Sequence, residues 1–284
     1  MTVEANAKVN FTLEVFGKRA DGYHALRSVV MPISLSDTLD IEVTDDGSIT
    51  SDTGYDDDLC VKAARVLRNN RIIELSNNRN PGAVIRVTKR IPAGGGLGGG
   101  SADAAAVLRA LNELWKVGLS REELAEIGAQ VGSDVPALVM DGPVVMEGRG
   151  EKVQDLRLKT EDLNLVLVNP GVQSSTKEVY AACEARPLGG GNATARMAEA
   201  LKSGDLGQIA AALMNDLQAP AVKQHPEIAD ALVSLRTAGV IGAMMSGSGS
   251  SVFGLVADEA AAKRISRELN DKGLRTWPVH AITV

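Results

Sequence analysis

Aromatic side chains are scarce in this chain: three Phe, three Tyr and two Trp among 284 residues, 3% of the total. Any aromatic beside a motif is therefore informative. Cysteine is scarcer still, with only Cys60 and Cys183. No Cys-x-x-Cys and no Cys/His cluster occurs, which excludes a disulfide framework and a zinc-type site. Two buried thiols in a reducing cytoplasm are expected. No apolar run approaches the ~18 residues of a membrane helix. Met1 to Asn10 is polar and contains Glu4, so no secretory leader is expected. Positive charge is also short. The net charge is −6 and no dense Lys/Arg stripe exists, which argues against nucleic acid or an anionic membrane as partner. A polyanion would have to be held locally, by few groups.

What is present reads as a soluble globular chain, 44% hydrophobic and 23% charged. Its length suits one large domain or two modest ones. Ile33, Leu35, Leu39, Ile41 and Val43 alternate with polar residues, which predicts sheet with one wet face. A helix is predicted over 57–68 and a half-exposed strand through Ile85, Val87 and Ile91. Val107, Leu108, Leu111, Leu114 and Trp115 recur at helical spacing, with Ser101 and Asp103 placed to cap the first turn. Ser120 and Glu123 form a capping-box pattern for the next helix. A strand is expected over 144–149. A second region follows from about 151. It has strands at 163–168, 242–245, 251–256 and 276–284, and helices at 176–184, 193–201, 208–213, 226–235 and 260–269. Residues 186–192 form a Pro/Gly-rich connector. The class is α+β, two α/β lobes with a boundary inside 145–160.

The densest signal is the run from Pro92 to Ala105, with six glycines between Gly94 and Gly100 leading into the predicted helix. Glycines entering a helix start expose unpaired N–H groups beside a positive dipole end, which makes an anion site suited to phosphate. Gly94-x-Gly96-x-x-Gly99 formally matches a dinucleotide fingerprint. The preceding strand argues against that reading, because it alternates and carries Arg86, Lys89 and Arg90 where a first Rossmann strand is apolar throughout. A Walker loop would need Lys after its last Gly, and Ser101-Ala102 stands there. The protein-kinase HRD and DFG sequences are absent. Pro92 and the helix frame the run too tightly for a flexible linker.

The run resembles the phosphate loop of the GHMP kinase superfamily, Pro-x-x-x-Gly-Leu-Gly followed by small residues. Four further stretches carry the same resemblance in order: Ala7-Lys8-Val9-Asn10-Phe11-Thr12-Leu13, Arg19-Ala20-Asp21-Gly22-Tyr23-His24-Ala25-Leu26, Gly132-Ser133-Asp134-Val135-Pro136 and Ser246-Gly247-Ser248-Gly249-Ser250-Ser251-Val252-Phe253. Within the superfamily, the second stretch is distinctive of members acting on an alcohol that carries a cytidine diphosphate group. The resemblance implies a ribosomal-protein-S5-like N-terminal domain over 1–152 and a ferredoxin-like C-terminal domain over 153–284, with the last strand able to rejoin the first lobe. It implies ATP and Mg²⁺ as cofactors and phosphorylation of the 2-hydroxyl of a cytidine-diphosphate-bearing methylerythritol, in isoprenoid precursor synthesis. A monomer or weak homodimer is expected. The alternatives are another small-molecule kinase of the superfamily (mevalonate, homoserine or sugar), a non-catalytic nucleotide sensor, or a dinucleotide oxidoreductase.

The resemblance also implies residue roles. Asp134 is the general base and Lys8 the cation beside it. Lys89, Pro92, Gly94, Gly95, Gly96, Leu97, Gly98, Gly99, Gly100, Ser101 and Ala102 bind ATP. Asn10, Tyr23, His24, Thr176 and Tyr180 bind the cytidine-bearing substrate, with the base gripped between aromatics. Taken alone, Asp134 could equally be a turn or helix cap before Val-Pro and Lys8 a solvated strand residue. Asn10 could be a strand-edge amide, and Tyr180 a core residue sharing a helix stripe with Thr176 and Cys183. Two positions depart from the superfamily pattern: Asp58 stands where Asn is usual, and Ala102 where a second Ser is common. Both bear on nucleotide affinity rather than on chemistry.

Overall fold

The computed structural model describes residues 1–75, 81–158, 163–184 and 191–282, with Arg71 to Leu75 described by backbone alone. The first half runs β1 (Thr2–Asn10), β2 (Thr12–Lys18), β3 (His24–Thr44), β4 (Ile49–Ser51), α1 (Leu59–Leu75) and β5 (Gly82–Thr88). It continues with α2 (Gly99–Leu114), α3 (Arg121–Gly128), α4 (Val135–Val139), β6 (Val144–Gly148) and β7 (Lys152–Asp155). The second half runs β8 (Asn164–Asn169), α5 (Thr176–Ala182), α6 (Ala193–Ser203), α7 (Leu206–Ala212), β9 (Met214–Asn215) and α8 (Gln218–Gln224). It ends with α9 (Pro226–Thr237), β10 (Gly242–Met245), β11 (Val252–Val256), α10 (Glu259–Asp271) and β12 (Arg275–His280). Most of the predicted connector 186–192, and the end of the predicted closing strand, lie outside the described residues.

The organising element is β3, 21 residues long, which pairs antiparallel with β1, β2, β5 and β6 along its length. Its middle, from Ser28 to Ile33, is buried on both faces, while Leu39 and Ile41 alternate with exposed Asp40 and Glu42. The predicted one-wet-face pattern therefore holds only at the outer end, and Val43 is exposed there. Helix α2 packs its alanine-rich face and Val107, Leu108 and Leu111 against β1, β3 and α1. Small residues there let the helix lie close to the sheet. Ser120 and Glu123 make both halves of the predicted capping box.

The second sheet is antiparallel, ordered β10-β11-β8-β12, with α9 and α10 packed on it. The lobes exchange short segments. β9 pairs parallel with β2, and beyond β12 Ala281 bridges Ile33 while the Ile282 N–H bonds Pro32 O at 2.9 Å. Phe11 and Phe253 stack across the junction with centroids 5.5 Å apart. Buried Glu14 on β2 accepts the Ala193 and Thr194 N–H groups, so one lobe caps a helix of the other. Cys60 is buried as expected, but Cys183 is half-buried, its Sγ 3.7 Å from the Asp216 carbonyl oxygen. Among the described residues, no helix is long and apolar enough to cross a membrane.

Candidate active site

Between the lobes lies a cleft of about 1090 Å³. That exceeds the usual volume for one drug-sized ligand and suits two. Its floor is the glycine run. The expected capping by Ser101 and Asp103 does not occur: α2 starts after Gly98, at φ 71°, with no side-chain cap. Its first N–H groups are thus left for a ligand, beside the positive end of the helix dipole. The glycines do not all serve that purpose. A Cβ on Gly96 would lie 2.2 Å from the Ser246 carbonyl oxygen, and one on Gly95 would lie 2.6 Å from Ser251 Oγ. These two let the loop press against the second lobe. Ser246 completes the joint, donating to Gly96 O at 3.0 Å and accepting from Asn10 N at 3.3 Å. Asn215 holds the same turn by donating to the Met245 and Gly247 carbonyls.

Lys8 runs beneath Gly98, where a Cβ would be 3.2 Å from its Cε. Its Nζ donates to Asn10 Oδ1 at 2.7 Å and lies 3.6 Å from Asp134 Oδ2. Asn10 is in turn fixed by donating to Ser28 Oγ, so the ammonium is held by a buried chain. At 4% exposure Lys8 is not a solvated strand residue. Asp134 precedes α4 at the cap position, yet its side chain caps nothing and is 33% exposed. The carboxylate faces the cleft instead.

At one end of the cleft, Lys89 sits between two acids, its Nζ 2.5 Å from Asp37 Oδ2 and 2.6 Å from Asp103 Oδ2. Burial works against its charge, but these partners hold its pKa above the usual value. Burial pushes Asp103 up to about 6, with Lys89 opposing and Asp37 adding to the rise, and its Oδ1 is buried without a partner. Nearby, Asp58 accepts from Thr53 Oγ1 at 2.6 Å and from Cys60 N at 2.7 Å. Burial raises its pKa, but these hydrogen bonds outweigh it and leave the pKa lowered, so Asp58 offers no donor to a base.

At the other end, His24 and Tyr180 rings meet with centroids 5.8 Å apart, tilted by 44°. That is direct aromatic contact. The two tyrosines expected to grip the base, Tyr23 and Tyr180, both line this cleft. His24 Nδ1 is fixed on Phe16 O at 3.1 Å, and Thr176 Oγ1 lies 2.8 Å from Ser248 Oγ. Tyr180 is half-buried against the core of the second lobe, partly as the core alternative had it. Its phenol is pushed above its ordinary pKa by burial, and further by the charge of Asp134. Tyr23 is 54% exposed with the Arg149 guanidinium 5.5 Å from its ring centroid.

Every expected site residue lines this one cleft except Ala102. Ala102 is buried in the core and its N–H is taken by Gly98 O at 2.8 Å, so it is corrected to a packing residue. Several cleft residues were not anticipated as site residues: Tyr55, Arg149 and the turn Gly247-Ser248-Gly249. All three tyrosines of the chain line the cleft, so their scarcity was a usable signal for Tyr55. For Arg149, the Gly-Arg-Gly-Glu sequence was the corresponding sign.

Comparison with known proteins places this geometry. Residues 58–142 match the N-terminal domain of GHMP kinases, and residues 197–274 match their C-terminal domain. A 4-diphosphocytidyl-2-C-methyl-D-erythritol kinase of Pelotomaculum thermopropionicum is 43% identical over 267 residues, covering 94% of this chain and 92% of the relative. One from Symbiobacterium thermophilum is 38% identical over 288 residues, covering 99% and 100%. A crystal structure of 4-(cytidine 5'-diphospho)-2C-methyl-D-erythritol kinase superposes with a TM-score of 0.81 at 32% identity, over 99% of both chains. A homoserine kinase from Cytophaga hutchinsonii shares the fold, with a TM-score of 0.77 at 20% identity over 100% of this chain and 94% of that one.

Proposed function

This chain belongs to the GHMP kinases, in the family of 4-diphosphocytidyl-2-C-methyl-D-erythritol kinases, and from that membership we propose how its cleft works. The activity is ATP-dependent phosphorylation of the 2-hydroxyl of 4-diphosphocytidyl-2-C-methyl-D-erythritol, in isoprenoid precursor synthesis by the methylerythritol phosphate route. The observation that carries the site reading is the position of the Lys8–Asp134 pair. It lines the same cleft as the uncapped start of α2 and as the His24–Tyr180 aromatics. A hydroxyl delivered from the aromatic end meets the pair beside the phosphate cradle.

Asp134 takes the proton of the attacking hydroxyl. Lys8, whose Nζ lies 3.6 Å from that carboxylate, stabilises negative charge on the reacting oxygens. The N–H groups from Gly98 to Ser101 hold phosphate oxygens, which is most of what phosphoryl transfer asks of a protein. Among the described residues, no group of three His, Cys, Asp or Glu could hold a metal ion. Mg²⁺ brought with the nucleotide would find the Ser101 hydroxyl, at the start of α2 in the cleft lining, as a protein ligand and would neutralise phosphate charge. Tyr23, His24, Asn10, Thr176 and Tyr180 receive the cytidine-bearing substrate. The expected domains 1–152 and 153–284 both line this cleft, though β7 carries the first sheet on to Asp155, and a monomer or weak homodimer is the proposed state. A reducing cytoplasm suits the unbridged Cys60.

An ADP-release assay over a panel of alcohols tests this reading. Fast turnover is expected with 4-diphosphocytidyl-2-C-methyl-D-erythritol and at most trace turnover with mevalonate, homoserine or 2-C-methyl-D-erythritol 4-phosphate. Preference for mevalonate or homoserine would overturn it.

A further inference from the structure

Arg149 stands at the tip of the turn joining β6 to β7, in Gly148-Arg149-Gly150-Glu151. Gly150, at φ 120°, lies against the segment that carries Asp134: a Cβ there would be 2.2 Å from the Ser133 carbonyl oxygen. Glu151 folds back over the turn, with Oε2 accepting the Arg149 N–H and Oε1 accepting Arg19 Nη1 at 2.8 Å. Arg19 Nε reaches Asp21 Oδ2 at 3.1 Å, and Asp21 Oδ1 accepts the Tyr23 N–H at 3.2 Å. One polar chain thus joins the turn to the loop that bears Tyr23. The whole device aims a guanidinium across the cleft onto the Tyr23 ring.

The charge of that guanidinium is uncompensated. Five cationic side chains line the cleft: Lys8, Lys18, Lys89, Arg149 and Lys177. Lys8 pairs with Asp134, and Lys89 with Asp37 and Asp103. Among the described residues Arg149 has no carboxylate at ion-pair distance. Its Nη2 has only the Ala129 carbonyl oxygen at 3.4 Å, a marginal contact. Lys18 and Lys177 flank the same end, beside His24 in the strand register and beside Thr176. In a chain of net charge −6, three cations with no carboxylate at ion-pair distance among the described residues, at one end of a cleft, call for an anion that comes with the ligand. A guanidinium can stack on an aromatic ring and grip phosphate oxygens with its fork at the same time.

We propose that Arg149 is a specificity-determining residue, binding the diphosphate linker of the cytidine-bearing alcohol while holding the Tyr23 ring with one face toward the cleft. The inference rests on the activity described above and adds to it the means by which a diphosphate, and not a bare nucleoside, is selected. With one face of Tyr23 covered by Arg149, the other is left for the pyrimidine. Lys18 and Lys177 add charge from the solvent side.

Inhibition by cytidine and by cytidine 5'-diphosphate, each competing with the alcohol substrate at saturating ATP, tests this assignment. The wild-type chain is expected to prefer the diphosphate. Arg149→Met reduces that preference about tenfold, as loss of one charge-assisted contact does, and leaves the KM for ATP within about twofold. Arg149→Lys restores part of the preference. Should Arg149→Met fold poorly, Arg149→Gln, which keeps a polar stem, takes its place. An unchanged ratio, or an equal loss of cytidine and diphosphate affinity, overturns the assignment. No ADP release from the wild-type chain with the cytidine-bearing alcohol would instead overturn the activity itself, so the two failures are distinguishable.

Discussion

Asp134 and Lys8 show how little a residue's own sequence context decides. Ser-Asp before Val-Pro reads as a cap, and Asp134 does occupy the cap position of α4, yet its carboxylate bonds no helix N–H. What frees it is an ammonium brought 126 positions along the chain to within 3.6 Å. Replacing Asp134 by Asn keeps the volume and removes the proposed proton acceptor. Turnover is expected to fall by about 10²–10⁴, while ATP affinity, measured by equilibrium binding, changes less than about threefold. Turnover within tenfold of the parent would remove Asp134 as the base. The resemblance singled out both residues, but their distance, and the Asn10–Ser28 chain that steadies Lys8, are tertiary facts. The same holds for His24 and Tyr180. The resemblance named both as substrate residues, but mutual ring contact depends on β3 and α5 meeting, which no local pattern encodes.

At the scale of elements, α2 was legible in its apolar spacing and illegible at its start. Ser101 and Asp103 have the right chemistry for capping, but Asp103 pairs instead with Lys89, which it shares with Asp37. The consequence is a buried cluster of two acids and one cation at the base of the phosphate loop. Because Asp103 titrates near 6 in the fold against 3.8 as a free side chain, the native state holds more proton than the unfolded chain between those values. Its contribution to stability therefore falls as pH rises through that window. Asp103→Asn removes this dependence. The unfolding free energy of the variant relative to the parent is expected to rise, on the order of 2 kcal/mol, between pH 4 and pH 7. Urea unfolding at several pH values measures it, and a flat or opposite difference contradicts the cluster's role. Other elements were legible in part. Of β3 only Ile33 to Val43 reads as sheet, because the middle of the strand is buried on both faces and loses the alternation that marks sheet.

At the scale of the whole molecule, the order of the motifs along the chain is what made the cleft readable. The motifs come from both lobes, and only a fold that closes one lobe on the other brings them together. The closure rests on contacts that sequence spacing hides: the Phe11–Phe253 stack, Glu14 capping α6, and Ser246 between Asn10 and Gly96. Gly95 and Gly96 belong to this scale as well, since their missing side chains admit the second lobe rather than a phosphate. The claim that joins all three scales is that this closed cleft moves a phosphoryl group from ATP onto the alcohol end of a cytidine-bearing substrate. Phosphorus NMR of the reaction with 4-diphosphocytidyl-2-C-methyl-D-erythritol tests it most directly. A new phosphomonoester resonance, appearing in step with ADP while the substrate's own diphosphate signals persist, is the predicted result. ADP formed without that resonance, or a cleaved diphosphate, would contradict it.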